Sequence, residues 1–263
     1  MKQFVLNKPP DNNGIIQLDG KDFHYLVRVR RLAAGEYFSA ILPSGKEAQI
    51  KIISINKDVL KGEVQIFSHG EHRGTESTER IPPLILFQAL PKGDKMDLIV
   101  RQAAETGIAE IVPFISEFSV AKKSAGTAKF SRWERIIKEA RQQSGSKTAT
   151  IIHQPLTIKE LLEYWKNLTG AIGLLFHHQV LEQISLHGYL NSMLAQQAKT
   201  AKSAVLVIGP EGGFSDAETV LFMENGFKPF TIGETVLRTE TAALYCAAAV
   251  RIILLEKDSW QLK

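Results

Sequence analysis

Six short apolar runs, separated by stretches long enough to form helices, constrain the fold of this chain more than any other feature. The runs are LILFQAL (84–90), EIVPF (110–114), TIIH (150–153), AIGLLF (171–176), AVLVIG (204–209) and PFTIG (229–233). Strands that are buried on both faces have nearly continuous apolar sequences of this kind. Helical patterns lie between them, for example Lys95 to Thr106, and another runs from Thr239 to Glu256. The alternation predicts an α/β fold with a parallel sheet and helices on both faces.

The first seventy residues have a different pattern, in which shorter apolar or alternating runs are separated by turn-forming residues. These runs are FVLN, GIIQL, YFSAIL, EAQIKIISI and EVQIF. They predict a small β-barrel or sandwich. The segment SHGEHRGTESTERIPP (68–83) has little to bury, so we interpret it as a linker. In a chain of 263 residues, we therefore expect two domains, residues 1–72 and 80–263.

Composition excludes several classes of protein. With 44% hydrophobic and 23% charged residues, the chain is expected to be globular and not disordered or fibrous. Its one cysteine, Cys246, and the lack of a secretory pattern near the start favour the cytoplasm. The apolar runs are too short for a membrane span, so no membrane partner is expected. The histidines show no metal-ligand spacing with carboxylates or cysteines, so we expect no metal.

The net charge is +4, and the basic residues are unevenly distributed. Residues 120–147 contain two acidic side chains and eight basic ones, which are Lys122, Lys123, Lys129, Arg132, Arg135, Lys138, Arg141 and Lys147. This segment is interpreted either as a solvated helix face or as a surface that contacts phosphates. Residues 21–32 have a helical apolar stripe that would leave a second basic face.

A glycine-containing loop follows the fifth apolar run of the α/β region. In VIGPEGGFSDAE (207–218), a predicted strand leads into a turn with three glycines, and then into a helix. Ser215 and Glu218 have the spacing of a capping box for that helix. Glycine permits a close approach of ligand to backbone. Ligands of open α/β sheets bind beyond the carboxyl ends of the strands, where this loop would lie.

A second loop follows the sixth run, in IGETVLRTETAA (232–243). Its strand is expected to end at Gly233, and a helix is expected to begin near Thr239, which we predict to be the N-cap. Arg238 and Glu240 flank the start of this helix. They are either functional residues or an ordinary ion pair at a helix end.

The two loops lack the motifs that bind common phosphorylated cofactors. Neither GxxxxGK[ST] nor GxGxxG is present. Glu211 would repel a triphosphate, and we expect no nearby side chain to offset its charge. A cofactor with little negative charge, such as S-adenosylmethionine with its sulfonium group, fits better.

Five segments resemble the motifs of the ribosomal RNA small-subunit methyltransferase E family, a branch of the SPOUT methyltransferases. They are GPEGGFS (209–215), IGETVLRTETAAL (232–244), LPKGDKMDLIVRQAAETGIAEIVPF (90–114), HYLVRVRRL (24–32) and EARQQSG (139–145). The resemblance implies methylation of N3 of a uridine in 16S rRNA, with S-adenosylmethionine as cofactor. It also implies a PUA-like N-terminal β-barrel domain, a C-terminal α/β domain with a deep trefoil knot, and a homodimer. Arg30, Arg101 and Thr106 depart from the family pattern, which leaves details of RNA contact and helix packing open.

The resemblance also assigns candidate site residues. The cofactor-binding residues would be Ile208, Gly209, Pro210, Glu211, Gly212, Gly213, Ile232, Gly233, Val236, Leu237, Arg238, Thr239 and Ala242. The RNA-binding residues would be His24, Arg28, Arg30, Arg31, Lys92, Lys122, Lys123, Arg132, Arg135 and Arg141. The RNA would be 16S rRNA, alone or in the small ribosomal subunit.

The reaction must remove the proton on N3 of uracil before that nitrogen is a good nucleophile. We expect Arg238 to stabilise negative charge on a uracil oxygen. Glu240 or Glu211 would accept the proton if burial raised its pKa, and otherwise water would accept it. Three alternatives stay open: methylation of another RNA base or a ribose hydroxyl, a non-catalytic RNA-binding assembly factor, and a nucleotide hydrolase, which Glu211 disfavours.

Overall fold

The computed structural model describes residues 4–6, 8–65, 81–119, 127–179, 184–196 and 202–256. The chain divides into two compact units, residues 1–76 with 141–149, and residues 77–140 with 150–263. Most of the expected linker lies outside the described residues, and so does the expected boundary between residues 72 and 80.

The first unit contains a five-stranded sheet, and each of its strands overlaps a run that the sequence predicted, although β5 begins at Val59, before the predicted run EVQIF. The strands are β1 (Phe4–Val5), β2 (Ile15–Leu18), β3 (Tyr37–Ile41), β4 (Glu47–Asn56) and β5 (Val59–Gln65), in the order β1-β3-β4-β5-β2. The β1–β3 pair is parallel and the other pairs are antiparallel. Alternate side chains of β3, Phe38 and Ala40, enter the core together with Ile50 of β4, as the period of two requires.

A short helical segment lies between β2 and β3. Helix α1 (Gly20–Phe23) continues directly into a π-helical turn, His24–Val29. Phe23 and Leu26 are buried in the core of this unit. The basic side chains of the segment are exposed, which agrees with the basic face expected from the sequence.

The second unit contains a seven-stranded sheet in which every described pair of strands is parallel. The strands are β6 (Leu84–Ala89), β7 (Glu110–Ile115), β8 (Ile151–Ile152), β9 (Leu156–Thr157), β10 (Ala171–Phe176), β11 (Ser203–Ile208) and β12 (Lys228–Phe230). Their order is β12-β10-β11-β6-β7-β8, and β9 also pairs with β7. Each of the six predicted runs overlaps a strand, whereas β9 was not predicted. The expected strand end at Gly233 was wrong, because β12 ends at Phe230 and the residues after it enter the loop.

Six described helices accompany this sheet, and they pack on both of its faces. They are α2 (Lys95–Glu105), α3 (Thr127–Ser144), α4 (Ile158–Asn167), α5 (Leu186–Gln196), α6 (Asp216–Glu224) and α7 (Thr239–Leu255). Along β6, Leu86 lies in the same core cluster as residues of α2 and α7, whereas Phe87 lies in the cluster formed with α4 and α6. The continuous apolar sequence of β6 is explained by burial on both faces. Among the described helices, none has the length and apolarity to cross a bilayer.

The strand order places four carboxyl ends side by side. Strands β12, β10, β11 and β6 are neighbours in the sheet, and they end at Phe230, Phe176, Ile208 and Ala89. The segments that follow these strands therefore emerge at one edge of the sheet, where open α/β sheets bind ligands.

Candidate active site at the carboxyl ends of four parallel strands

The two loops predicted to bind the cofactor line a single pocket. Segments after β10, β11 and β12 form its walls together with the first turns of α7. The lining residues are Phe176, His177, His178, Ile208, Gly209, Pro210, Glu211, Gly212, Gly213, Phe214, Thr231, Ile232, Gly233, Thr235, Val236, Leu237, Thr239, Ala242 and Cys246. All the predicted cofactor-binding residues are in this set except Arg238. Five other lining residues were not among the predicted site residues, because nothing in their residue types indicates a ligand: Phe176, Phe214, Thr231, Thr235 and Cys246.

Thr239 connects the two loops, although not as the sequence predicted. Arg238 occupies the N-cap position of α7, and Thr239 is the first helical residue. The Thr239 hydroxyl donates to the carbonyl oxygen of Gly209, at 2.7 Å, and accepts from Nε2 of Gln88, at 3.0 Å. The expected N-cap role was wrong because this hydroxyl is directed to the neighbouring loop and not to its own helix.

The glycines of the first loop allow a tight turn. The N–H of Gly213 donates to the carbonyl oxygen of Pro210, at 3.0 Å, and Gly213 has a φ of +71°. A Cβ atom on Gly209 would lie 3.3 Å from the backbone of Gly213. The turn leads into α6, where Ser215 and Glu218 form the predicted capping box.

The carboxylate of Glu211 accepts hydrogen bonds from Lys95 and Lys92, neither of which was predicted to contact it. The ammonium of Lys95 lies 2.7 Å from Oε1 of Glu211, and the N–H of Lys92 donates to the same carboxylate at 3.1 Å. The expectation that no side chain offsets Glu211 was wrong, because Lys95 lies more than one hundred residues away in sequence. Partial burial alone would raise the pKa of Glu211, but the hydrogen bonds from Lys95 and from backbone N–H groups give a net lowering. Glu211 therefore does not meet the condition set for a proton acceptor.

Arg238 and Glu240 lie at the start of α7 in different environments. Arg238 is exposed, and its side chain makes no capping hydrogen bond to the helix. The side chain of Glu240 is 13% exposed, and its Oε2 is buried with no hydrogen-bond partner among the described residues. Lys95 Nζ lies 3.9 Å from that oxygen. The guanidinium of Arg238 is thus free of the helix backbone, while Glu240 is enclosed.

Two histidines and the cysteine form part of the pocket wall. His177 is buried, its Nδ1 accepts from the N–H of Gln179, and its ring stacks on that of His178 at 4.7 Å. Burial, followed by repulsion from His178, lowers the pKa of His177. Burial raises the pKa of Cys246 to about 12, so its thiol stays protonated. His177 and Cys246 are therefore uncharged parts of the wall near neutral pH.

The candidate RNA-binding residues between positions 24 and 31 are all exposed. His24, Arg28, Arg30 and Arg31 lie on or just after the π-helical turn. Val29, between them, is 59% exposed. The segment therefore offers a cationic surface with an apolar side chain in it.

The candidates on the rest of the chain have different environments. Lys92, Arg132 and Arg135 are exposed. Arg132 contacts Asp97, and the Nε of Arg135 lies 3.8 Å from Glu139. Arg141 does not fit a phosphate contact, because its side chain is buried, and burial lowers its pKa. The other two, Lys122 and Lys123, lie outside the described residues.

No metal site is evident in the part of the chain that the structure describes. There, no three histidine, cysteine or carboxylate side chains are grouped so that they could hold an ion.

Comparison with protein families gives two matches. A family model described as an RNA methyltransferase domain matches residues 78–251, and one described as an RNA methyltransferase PUA domain matches residues 18–65. A ribosomal RNA small subunit methyltransferase E from Aquifex aeolicus is 31% identical over 236 residues, which cover 88% of this chain and 91% of that protein. The chain belongs to this methyltransferase family.

Other similar proteins agree with this assignment. The methyltransferase E of Bacillus subtilis is 28% identical over 89% of this chain and 88% of its own length. A solved methyltransferase from Legionella pneumophila, in complex with S-adenosylmethionine, is 25% identical with a TM-score of 0.74, over 95% of this chain and 97% of that one. The family enzyme of Neisseria gonorrhoeae, also solved with S-adenosylmethionine, has the same fold, with a TM-score of 0.75 at 24% identity over 96% and 98% of the two chains. The predicted fold class, an α/β domain after a smaller PUA domain, is confirmed.

Proposed function

We propose that this protein transfers a methyl group from S-adenosylmethionine to N3 of a uridine in the 16S rRNA of the small ribosomal subunit, in the cytoplasm. One observation carries the proposal: the two glycine-containing loops that follow β11 and β12 line one pocket, and Thr239 joins them through the carbonyl oxygen of Gly209. The names of the relatives, and the cofactor bound to two solved ones, support it.

The residues of the pocket suit S-adenosylmethionine. Most of the lining is apolar or backbone, and the one lining carboxylate, Glu211, is paired with Lys95. Gly209 and Gly213 leave the backbone open to a close approach. Segments 208–213 and 232–237 would hold the cofactor, which when bound supplies a methyl group activated by its sulfonium centre.

Arg238 is proposed to act on the uracil. Its exposed side chain extends from the N-terminus of α7, beside the pocket. A guanidinium donates from a rigid planar group, so it can stabilise negative charge that develops on a uracil oxygen as N3 loses its proton. The positive end of the α7 dipole, at the N-terminus of the helix, also stabilises negative charge on the uracil.

We propose Glu240 or water, and not Glu211, as the acceptor of the proton on N3. The carboxylate of Glu211 is occupied by Lys95 and by the N–H of Lys92, and its pKa is lowered. Glu240 is enclosed next to Arg238 and has an oxygen with no hydrogen-bond partner among the described residues.

The exposed basic residues are proposed to hold the rRNA. A uracil can be methylated at N3 only when its Watson–Crick edge is unpaired, so the base must lie in a loop or be turned out of a helix. The basic surface at 24–31, together with Lys92, Arg132 and Arg135, would contact the flanking phosphates.

A homodimer is also proposed. Helix α7 exposes Tyr245, Ile252 and Leu255, which are 51%, 47% and 61% accessible and lie on one side of the helix. Large apolar side chains grouped in this way are typical of an interface. Light scattering of the protein and of Ile252→Glu tests this: a dimer that the substitution dissociates supports it, and a monomeric wild type contradicts it.

The function is tested by incubating the protein with labelled S-adenosylmethionine and small ribosomal subunits or free 16S rRNA, followed by mass spectrometry of the nucleosides. We expect 3-methyluridine, and we expect Arg238→Ala to abolish it while cofactor binding is nearly unchanged. Lys159→Ala, which removes an exposed cation of α4, is the control. Another methylated nucleoside would favour another target atom, and RNA binding without calorimetric heat from the cofactor would favour an assembly factor.

A further inference from the structure

Lys95 lies between two carboxylates that belong to the two sides of the pocket. Its Nζ is 2.7 Å from Oε1 of Glu211 and 3.9 Å from Oε2 of Glu240. Glu211 is in the loop after β11, and Glu240 is in the first turn of α7, which follows the other loop. One ammonium group on α2 is therefore shared by both carboxylates.

The two carboxylates depend on this ammonium to different degrees. Glu211 also accepts from the N–H of Lys92, which lies 3.1 and 3.3 Å from its two oxygens. Oε2 of Glu240 is buried and has no hydrogen-bond partner in the part of the chain that the structure describes. Without the ammonium, the partly buried carboxylate of Glu211 and the enclosed carboxylate of Glu240 would repel each other, because like charges at short range repel.

We propose that Lys95 is a positioning residue for the cofactor loop. By neutralising Glu211 and Glu240 together, it keeps loop 209–213 closed against the start of α7, in the geometry that binds S-adenosylmethionine. This inference rests on the proposed function, because it assumes that the pocket binds this cofactor. Lys95 is not in the lining of the pocket, so it acts through the carboxylates and not by touching the cofactor.

The test is calorimetric titration of S-adenosylmethionine into the wild-type protein, Lys95→Met, Lys95→Arg, Glu211→Gln and the double variant Lys95→Met/Glu211→Gln. We expect Lys95→Met to weaken binding by about tenfold or more, which corresponds to the loss of one hydrogen bond between charged groups. Lys95→Arg should bind nearly as the wild type does. Glu211→Gln should lose less than Lys95→Met, because an amide oxygen still accepts from the N–H of Lys92. Lys166→Met, which removes an exposed cation from α4, should have no effect.

The double variant separates positioning from a merely structural role. If Lys95 acts by neutralising the carboxylates, removing one of them should restore part of the affinity that Lys95→Met loses. In steady-state assays, the KM for the cofactor should rise in Lys95→Met while kcat changes little. Unchanged affinity in Lys95→Met, or a double variant at least as weak as Lys95→Met, would overturn the inference. A wild-type protein that binds no S-adenosylmethionine would instead overturn the proposed function.

Discussion

The hydroxyl of Thr239 donates a 2.7 Å hydrogen bond to the carbonyl oxygen of Gly209. Thr239 is buried, and it also accepts from the side chain of Gln88 at the end of β6. A single side chain therefore joins the first turn of α7 to the ends of β11 and β6. The distance between the two loops, and hence the width of the pocket, depends on this contact.

Thr239→Val should reduce both stability and cofactor affinity. Valine has nearly the same shape as threonine, but it leaves the Gly209 carbonyl without its donor. It also removes the acceptor of one Gln88 N–H, whereas Nε2 of Gln88 still donates to the carbonyl oxygen of Ala89. An unpaired buried polar group costs about 1–3 kcal/mol. Chemical denaturation and calorimetry with S-adenosylmethionine measure the two effects. Thr239→Ser, which keeps the hydroxyl, should lose much less of both, and equal losses in the two variants would contradict the role given to the hydrogen bond.

Gly213→Ala should weaken cofactor binding in addition to lowering the stability of the protein. The φ of Gly213 is +71°, where an alanine is strained by about 1–2 kcal/mol. The new Cβ would also lie 3.0 Å from the ring of His178 in the pocket wall. Gly226→Ala is the matched control, because φ there is +90° and no atom would lie within 4 Å. We expect similar losses of melting temperature in the two variants and a loss of affinity only in Gly213→Ala.

Charge reversal of Arg132 and Arg135 should weaken rRNA binding and reduce its salt dependence. Each phosphate contact that is lost should lower the slope of log affinity against log salt by about 0.7–0.9. Because Arg132 also contacts Asp97, circular dichroism of the double variant must show an intact fold. Lys159→Glu with Lys166→Glu on α4 makes the same change in charge at exposed positions. An unchanged slope in the arginine variant would mean that this helix face is only solvated.

Stability should fall as the pH is lowered below about 6.5, and His177 should account for part of the fall. Burial and the proximity of His178 lower the pKa of His177 from its ordinary 6.5. Above that pH the imidazole is neutral in both states, so it contributes no pH dependence. Below it, the unfolded chain binds the proton first, and the free energy of unfolding decreases until the pH passes the folded pKa. Melting temperatures at several pH values should show a shallower dependence in His177→Asn than in the wild type or in His24→Asn, whose side chain is exposed.

The sequence was sufficient to predict most elements of this fold, although not β9. Each of the six apolar runs after residue 83 overlaps a parallel strand, because burial leaves a nearly continuous apolar sequence that is visible within the strand itself. The Ser215–Glu218 capping box was also predicted, because its partners are only three residues apart in the sequence. The trefoil knot and the homodimer stay predictions.

Contacts between distant segments were not predictable from local patterns. Lys95 and Glu211 are 116 residues apart, and their ion pair reversed the expectation for the charge of the first loop. Thr239 was expected to cap its own helix, and Arg141 was expected to face RNA, but the packing directs one to Gly209 and buries the other.

The sequence by itself determined which residues form strands, helices and glycine turns, since those depend on periodicity and on backbone conformation within a few residues. Only the tertiary structure decided which side chains meet at the pocket, because that depends on the order of β12, β10, β11 and β6 in the sheet. The order brings four strand ends to one edge. It also sets the charges around each carboxylate, which local sequence does not encode.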